Sequence, residues 1–412
     1  MFLTGDGVNR MSSALDAVPI PGLSSNNPKD FFEPMLGIGD PPADTLIALC
    51  FVQAGQDTVP RDPNLPSSLT SLMLLLNKES ITAETASALA TALHLTTATP
   101  WLAPARLARA RRFYWCNAPL ITLISIYASL GGGFGFPRLD LTLAHTGKLT
   151  TPRTVWLRLL RTARMTLHVM DPMGGLERVG GDAWWAVVKV RLVHALVRRR
   201  VIQAYPGLNH VPINQADMAA TILSFQAVVL GNMMRLVRWW RDPLDLDEGM
   251  RDYTHLYRYV AHLSGVIEEA NPCLNAEASM RLLKAYVHLY HGKSPDYVGE
   301  PLPEDYDPGA TALMYLKVIC EKGARKRPLD FAIAMLCLFS GDAITRRYGL
   351  LKRVKLYHTF RAYILFCWCT LFSFGIQFWD QDKFASQAAK SALNLLEKEI
   401  EKEQKLISGS SK

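Results

Sequence analysis

The chain has 412 residues, 49% of them hydrophobic and 20% charged, with a formal net charge of +8. That is enough apolar material for one large domain or two ordinary ones. Its seven cysteines (Cys50, Cys116, Cys273, Cys320, Cys337, Cys367 and Cys369) are odd in number and form no C-x-x-C pair, which argues against a disulfide framework and a zinc ribbon. The excess positive charge sits inside apolar helical runs rather than in a loose basic tail. An anionic membrane surface therefore suits it as a partner, and nucleic acid does not.

Residues 1–30 are polar and rich in turn formers, so they read as an N-terminal arm. They hold no continuous apolar stretch behind a basic start, so no Sec signal peptide is expected, and an intracellular location is. Residues 31–382 alternate apolar helical runs with Pro/Gly punctuation. No regular strand–helix alternation appears, which predicts an all-α domain and excludes Rossmann and TIM architectures. Residues 383–412 form an amphipathic tail.

Phe113–Pro137 is uncharged but interrupted by Pro119 and by Gly131-Gly132-Gly133. The glycine run lacks a following Lys-Ser/Thr and is no phosphate loop. Thr151-Pro152 opens a helix that ends at Asp171-Pro172. On it, Arg158, Arg161 and Thr162 share one face at i, i+3 and i+4, opposite Val155, Trp156, Leu159, Leu160 and Leu167. A face of this kind belongs either to solvent or to a polar-lined cavity.

Gly181-Asp182 opens the next helix, which stops before Pro206. It carries the most informative stretch, Val190-Arg191-Leu192-Val193-His194-Ala195-Leu196-Val197-Arg198. Arg191, His194 and Arg198 lie on one face within an apolar surround, so the helix is expected to be largely buried. An imidazole flanked by two cations suits an iron porphyrin, whose carboxylates the arginines could hold. A core histidine satisfied by a carbonyl, with arginines paired to acidic side chains, explains the same pattern.

Asn214 with Asp217 resembles a capping box and starts a helix through Phe225 and Met234 to Asp242-Pro243. Further helices are predicted over 250–269 and 275–291. His288-x-x-His291 and Asp252-x-x-His255 have convergent spacing but apolar neighbours, and read as structural; no H-E-x-x-H and no G-x-S-x-G occurs. Ala362–Trp379 is an uncharged run of 18 residues, short for a membrane span. It reads as a buried core helix, with a shallow, non-spanning membrane contact left open.

Four pieces together resemble the rubber-oxygenase family, which includes bacterial latex-clearing proteins and fungal MpaB-type oxygenases. They are Gly39-Asp40-Pro41-Pro42-Ala43-Asp44; Gly147 through Arg158-Leu159-Leu160-Arg161-Thr162; the run around His194; and Pro212-Ile213-Asn214-Gln215-Ala216-Asp217-Met218 with Thr221 and Phe225. The resemblance spans most of 35–375. It implies a single large globin-like helical domain holding one heme b, with O2 as co-substrate. It makes His194 the iron ligand, with Arg191, Arg198 and Arg161 about the cofactor. Arg158 and Thr162 become the polar groups that act on oxygen, and the substrate an isoprenoid or other lipophilic chain cleaved at a C=C bond. Two departures stand out. Arg161 replaces a lysine that can ligate iron in latex-clearing proteins, and a guanidinium offers no lone pair. The stretch Leu139–His145 has no glutamate, leaving Asp140 or His145 as stand-ins for a distal base. These departures keep a second expectation alive, a non-catalytic heme sensor or carrier.

Overall fold

The structure, a computed structural model, describes residues 16, 18–21, 27–51, 62–97, 99–146, 151–237, 247–299, 301, 302, 304, 306–323, 326–376 and 378–409. Among these the chain is all-α, with no strand. Besides a single α-helical turn at Lys29–Phe32, the helices in chain order are α1 (Pro41–Cys50), α2 (Leu69–Asn77), α3 (Ala83–Ala92), α4 (Pro104–Cys116), α5 (Ala118–Ile124), α6 (Pro137–His145), α7 (Pro152–Met170) and α8 (Asp182–Ala204). They continue as α9 (Gln215–Val237), α10 (Glu248–Leu263), α11 (Ala276–Tyr290), α12 (Pro308–Lys322), α13 (Leu329–Arg347), α14 (Leu356–Ile376) and α15 (Gln381–Gly409).

Local chemistry explains the helices that matter. At the start of α7, the Thr151 hydroxyl accepts from the Thr154 amide and the Thr154 hydroxyl accepts from the Thr151 amide, a capping box ahead of Pro152. Its C-terminal end is held from α4, where Trp115 Nε1 donates to the Met170 carbonyl at 2.7 Å and Arg111 Nε to the Val169 carbonyl at 3.2 Å. These satisfy carbonyls that a helix end otherwise leaves without partners. The turn into α8 uses Gly175 and Gly180 at positive φ, and α8 returns along α7. At α9, Asn214 Oδ1 accepts from the Asp217 amide at 2.9 Å while Asn214 Nδ2 donates to the Asp217 carboxylate at 3.0 Å. The predicted end at Asp242-Pro243 lies outside the described residues.

α10 stops earlier than its pattern suggested, at Leu263 rather than near 269. Gly265, at φ +88°, turns the chain there. A side chain at that position would collide with the carboxylate of Asp40, so only glycine allows this close approach. The Phe113–Pro137 stretch is likewise divided, between α4, α5 and one π turn over Ser125–Leu130, with a bend of 81° between Pro104–Cys116 and Ala118–Leu130.

Two predictions about the C-terminal third fare differently. The tail is helical and amphipathic: α15 lies along α7 and α4, burying Ala385, Ala389 and Ile400. Glu403, also buried, is held by Lys322 and Arg153. By contrast, α14 is not a buried core helix. Only 28% of its most apolar window is covered, whereas α9, of comparable length and hydropathy, is 72% buried.

Candidate functional site

The central feature is a cleft between four helices. Its cavity volume is about 60 Å³. That is far below the range of cofactor and small-molecule sites and leaves room for a few waters at most. Met165, Thr166 and Val169 of α7 form one wall, and Val190 and His194 of α8 a second. α9 contributes Met218, Thr221, Ile222 and Phe225, and α10 with its following turn contributes Tyr257, Val260, Ser264 and Val266. On α9 these positions recur at i, i+3, i+4 and i+7, one helix face.

His194 is thus the sole imidazole in an otherwise apolar and hydroxyl lining among the described residues. No group of three or more His, Cys, Asp or Glu side chains able to hold a metal ion occurs among those residues. A bare ion would find one nitrogen here and little else. One imidazole on the wall of an apolar slot would instead suit a metal already held by a macrocycle. The donor chemistry therefore fits a heme. The cleft as it stands is too small for a flat tetrapyrrole, so holding one requires its walls to part.

The two arginines flanking His194 do a different job from the one expected. Arg191, 4% exposed, donates from Nε and Nη2 to both oxygens of Asp40 at 2.6 and 2.8 Å, and from Nη1 to the Leu93 carbonyl. Arg198 donates to the Asp44 carboxylate and to the carbonyls of Pro212 and Ile213. Both fork-shaped donors are filled from the protein itself, so neither is left for a porphyrin carboxylate. The expectation of Arg191 and Arg198 as cofactor ligands is corrected accordingly. Their pairing with acidic residues is the alternative that the sequence left open.

Those pairs form a clamp. Gln215, at the start of α9, donates to the carbonyls of Gly39 and Gly265 at 2.6 and 2.9 Å, and its side-chain oxygen accepts from the Ile267 amide. The Gly39–Asp44 segment is thereby tied to α8, α9 and the turn after α10. His194 lies between the two clamped arginines, so its helix is anchored on either side of the imidazole. Asp40, Asp44 and Gln215 are positioning residues that periodicity could not reveal as partners, being far apart in sequence.

Arg161 is exposed on the outer side of α7, close enough to Lys189 to help depress its ammonium pKa. It does not face the cleft, which corrects its expected role about the cofactor. Arg158 and Thr162 lie two turns and one turn, respectively, before Met165 and Thr166 on the same face of α7, and the Thr166 hydroxyl donates to the Thr162 carbonyl at 3.1 Å. Arg158 is half-buried. Burial lowers its pKa, and no carboxylate among the described residues offsets that. Neither Arg158 nor Thr162 is among the residues that line the cleft; they continue its α7 wall beyond Met165 and Thr166.

Neither stand-in for a distal base lines the cleft. The His145 ring packs on Tyr205. Asp140 Oδ2 accepts from the Tyr306 hydroxyl at 2.8 Å and the Gly135 amide at 3.2 Å. Burial raises the Asp140 carboxyl to about 6, those two bonds acting against it. The folded chain then holds a proton that the unfolded chain has released between about pH 4 and 6, so this group's contribution favours folding below that window and is lost as pH rises through it. Urea unfolding is expected to show stability falling from pH 4 to 6, and Asp140→Asn to flatten that slope. A wild-type slope unchanged by the substitution would contradict the assignment.

The side chains of Asp252, His255 and His288 are held by protein partners. Asp252 pairs with Arg106 and Arg109, His255 accepts from the Ala103 amide, and His288 meets Asp296.

Residues 133–366 match the family model of the ER-bound oxygenase mpaB/B'/rubber oxygenase catalytic domain. Every cleft-lining residue falls inside that stretch, and Asp40 and Asp44 lie before it. Among solved structures, the chain is similar to latex clearing protein LCP in the closed state. The two share 19% identity at a TM-score of 0.59, over 92% of this chain and 94% of the other. That likeness speaks for the fold. No curated protein matches.

Proposed function

This chain belongs to the mpaB/B'/rubber oxygenase catalytic-domain family, and from that premise we propose that it is a heme b-dependent oxygenase that cleaves a C=C bond of an isoprenoid or other lipophilic substrate with O2. The supporting observation is His194, a lone imidazole on the wall of an apolar four-helix cleft. Bound there, heme b supplies the iron redox chemistry by which O2 reacts with an alkene. The net reaction balances without an outside reductant, since one C=C and one O2 give two C=O groups.

The protein's part is positional and electrostatic. The clamp through Asp40, Asp44 and Gln215 fixes the orientation of α8 and so of the imidazole. Met218, Ile222 and Phe225 give a substrate chain an apolar wall and keep water out. Arg158 would offer a desolvated cation to negative charge developing on oxygen, and the Thr162 hydroxyl a second donor on the same helix face.

A second reading, a heme sensor or carrier without turnover, draws on one observation. The described lining contains no carboxylate to act as a base. Oxygen uptake decides between them. Heme-loaded protein given squalene under air is expected to consume O2 and release carbonyl-ended fragments, one O2 per pair of new carbonyls. Stoichiometric heme with no O2 uptake on any isoprenoid chain tested would leave the carrier reading in its place.

A further inference from the structure

We propose that α14 is a membrane-seating helix that lies flat in one leaflet of an anionic phospholipid bilayer. Leu356, Phe360, Ile364, Trp368, Leu371, Phe374 and Phe378 fall along one side of the segment, each more than half exposed. Ala362, Phe366, Cys369, Ser373 and Ile376 form the buried side. The outer stripe runs the length of a 21-residue helix, about 30 Å at 1.5 Å per residue. A continuous apolar face of that extent is far more than the scattered exposed side chains of a soluble surface. From residue 362 to 379 it carries no charge.

Two features specify the occupant. The N-terminal approach is basic: Arg346 and Lys352 are exposed, and Arg353 and Lys355 share the single carboxylate of Asp330. Net positive charge beside an apolar stripe complements acidic headgroups over hydrocarbon. Tyr357, Trp368 and Trp379 are also exposed, and amphipathic rings of this kind favour the headgroup level.

The packing decides how deep the helix goes. The inner side of α14 rests on α13 and α5, with further contact to α4. α4 carries Arg106, Arg109 and Arg112 in ion pairs with Asp252, Glu248 and Asp382. Driving α14 across a bilayer would draw those groups into hydrocarbon or strip the helix from its support. Only the outer stripe is free to enter, to about 5–10 Å.

The test uses the full chain and vesicles of phosphatidylcholine with phosphatidylserine at about three to one. The protein is expected to float with these vesicles and much less with phosphatidylcholine alone. Because both side chains are exposed, Phe360→Gln combined with Leu371→Gln should leave the unfolding midpoint in place while lowering vesicle partition roughly tenfold or more. Depth is read from a fluorophore placed, in a Cys367→Ser background, at Leu356→Cys, Ile364→Cys, Leu371→Cys or Phe378→Cys, and quenched by lipid-borne nitroxides. Equal shallow depths at all four positions support the flat seating, and a depth that grades along the helix overturns it. Failure to float overturns the membrane assignment, above all if sedimentation shows two copies joined through this face. Equal flotation on phosphatidylcholine alone overturns the anionic preference. None of these readouts depends on heme or turnover.

Discussion

Asp40→Asn is expected to destabilise the fold by about 3–5 kcal/mol, the typical cost of removing one partner from a buried ion pair. Asp40 is 2% exposed and Arg191 4%, and the two are joined by two charge-assisted hydrogen bonds. The amide keeps the shape of the carboxylate but leaves the guanidinium buried without a counter-charge. Gly265 packs against both groups so tightly that relaxation by rearrangement is blocked. Urea unfolding measures the effect, and the double variant with Arg191→Met should recover part of it, because the stranded charge is then gone. A loss below about 1 kcal/mol, the level of an exposed pair such as Lys402–Glu399, would contradict the clamp. The same substitution should weaken retention of any group bound through His194, one helical turn from Arg191.

Arg158→Gln is expected to lower turnover by roughly two to three orders of magnitude, the usual loss when one preorganised donor to a developing negative charge is removed. Because Arg158 has no carboxylate partner among the described residues, its removal leaves no opposite charge stranded. Stability should hold or rise, since a desolvated cation is unfavourable for the fold alone. That pairing of lost activity with retained or improved stability marks a residue kept for function rather than packing. Heme content is expected to stay at the wild-type level. A variant that turns over normally, or that loses activity only by losing heme, would remove Arg158 from the proposed chemistry.

Much of this architecture was legible in the sequence because the signals are local. Thr151-Pro152, Gly181-Asp182 and Asn214 with Asp217 start helices through groups within four residues of each other, and all three starts appear where the pattern places them. The burial of the His194 helix follows from its apolar surround. Long-range choices were not legible. That Arg191 and Arg198 need partners is a local inference; that Asp40 and Asp44 supply them depends on a segment some 150 residues away. Arg161 and Arg158 look alike as letters three positions apart, yet one helix turn separates an exposed side chain from a desolvated one. The misreading of α14 has a related cause. A run of Phe, Trp, Leu and Ile records an apolar environment, and says nothing of whether that environment is protein or lipid. The early end of α10 depended on Gly265, whose role exists only because Asp40 approaches it in space.

The central claim concerns the imidazole of His194, and a visible absorption spectrum with iron and porphyrin quantitation addresses it most directly. Wild-type protein is expected to carry one heme per chain with a Soret band, and His194→Ala, folded by circular dichroism, to lose most of it. Equal heme in both proteins, or none in the wild type after reconstitution, would contradict the account.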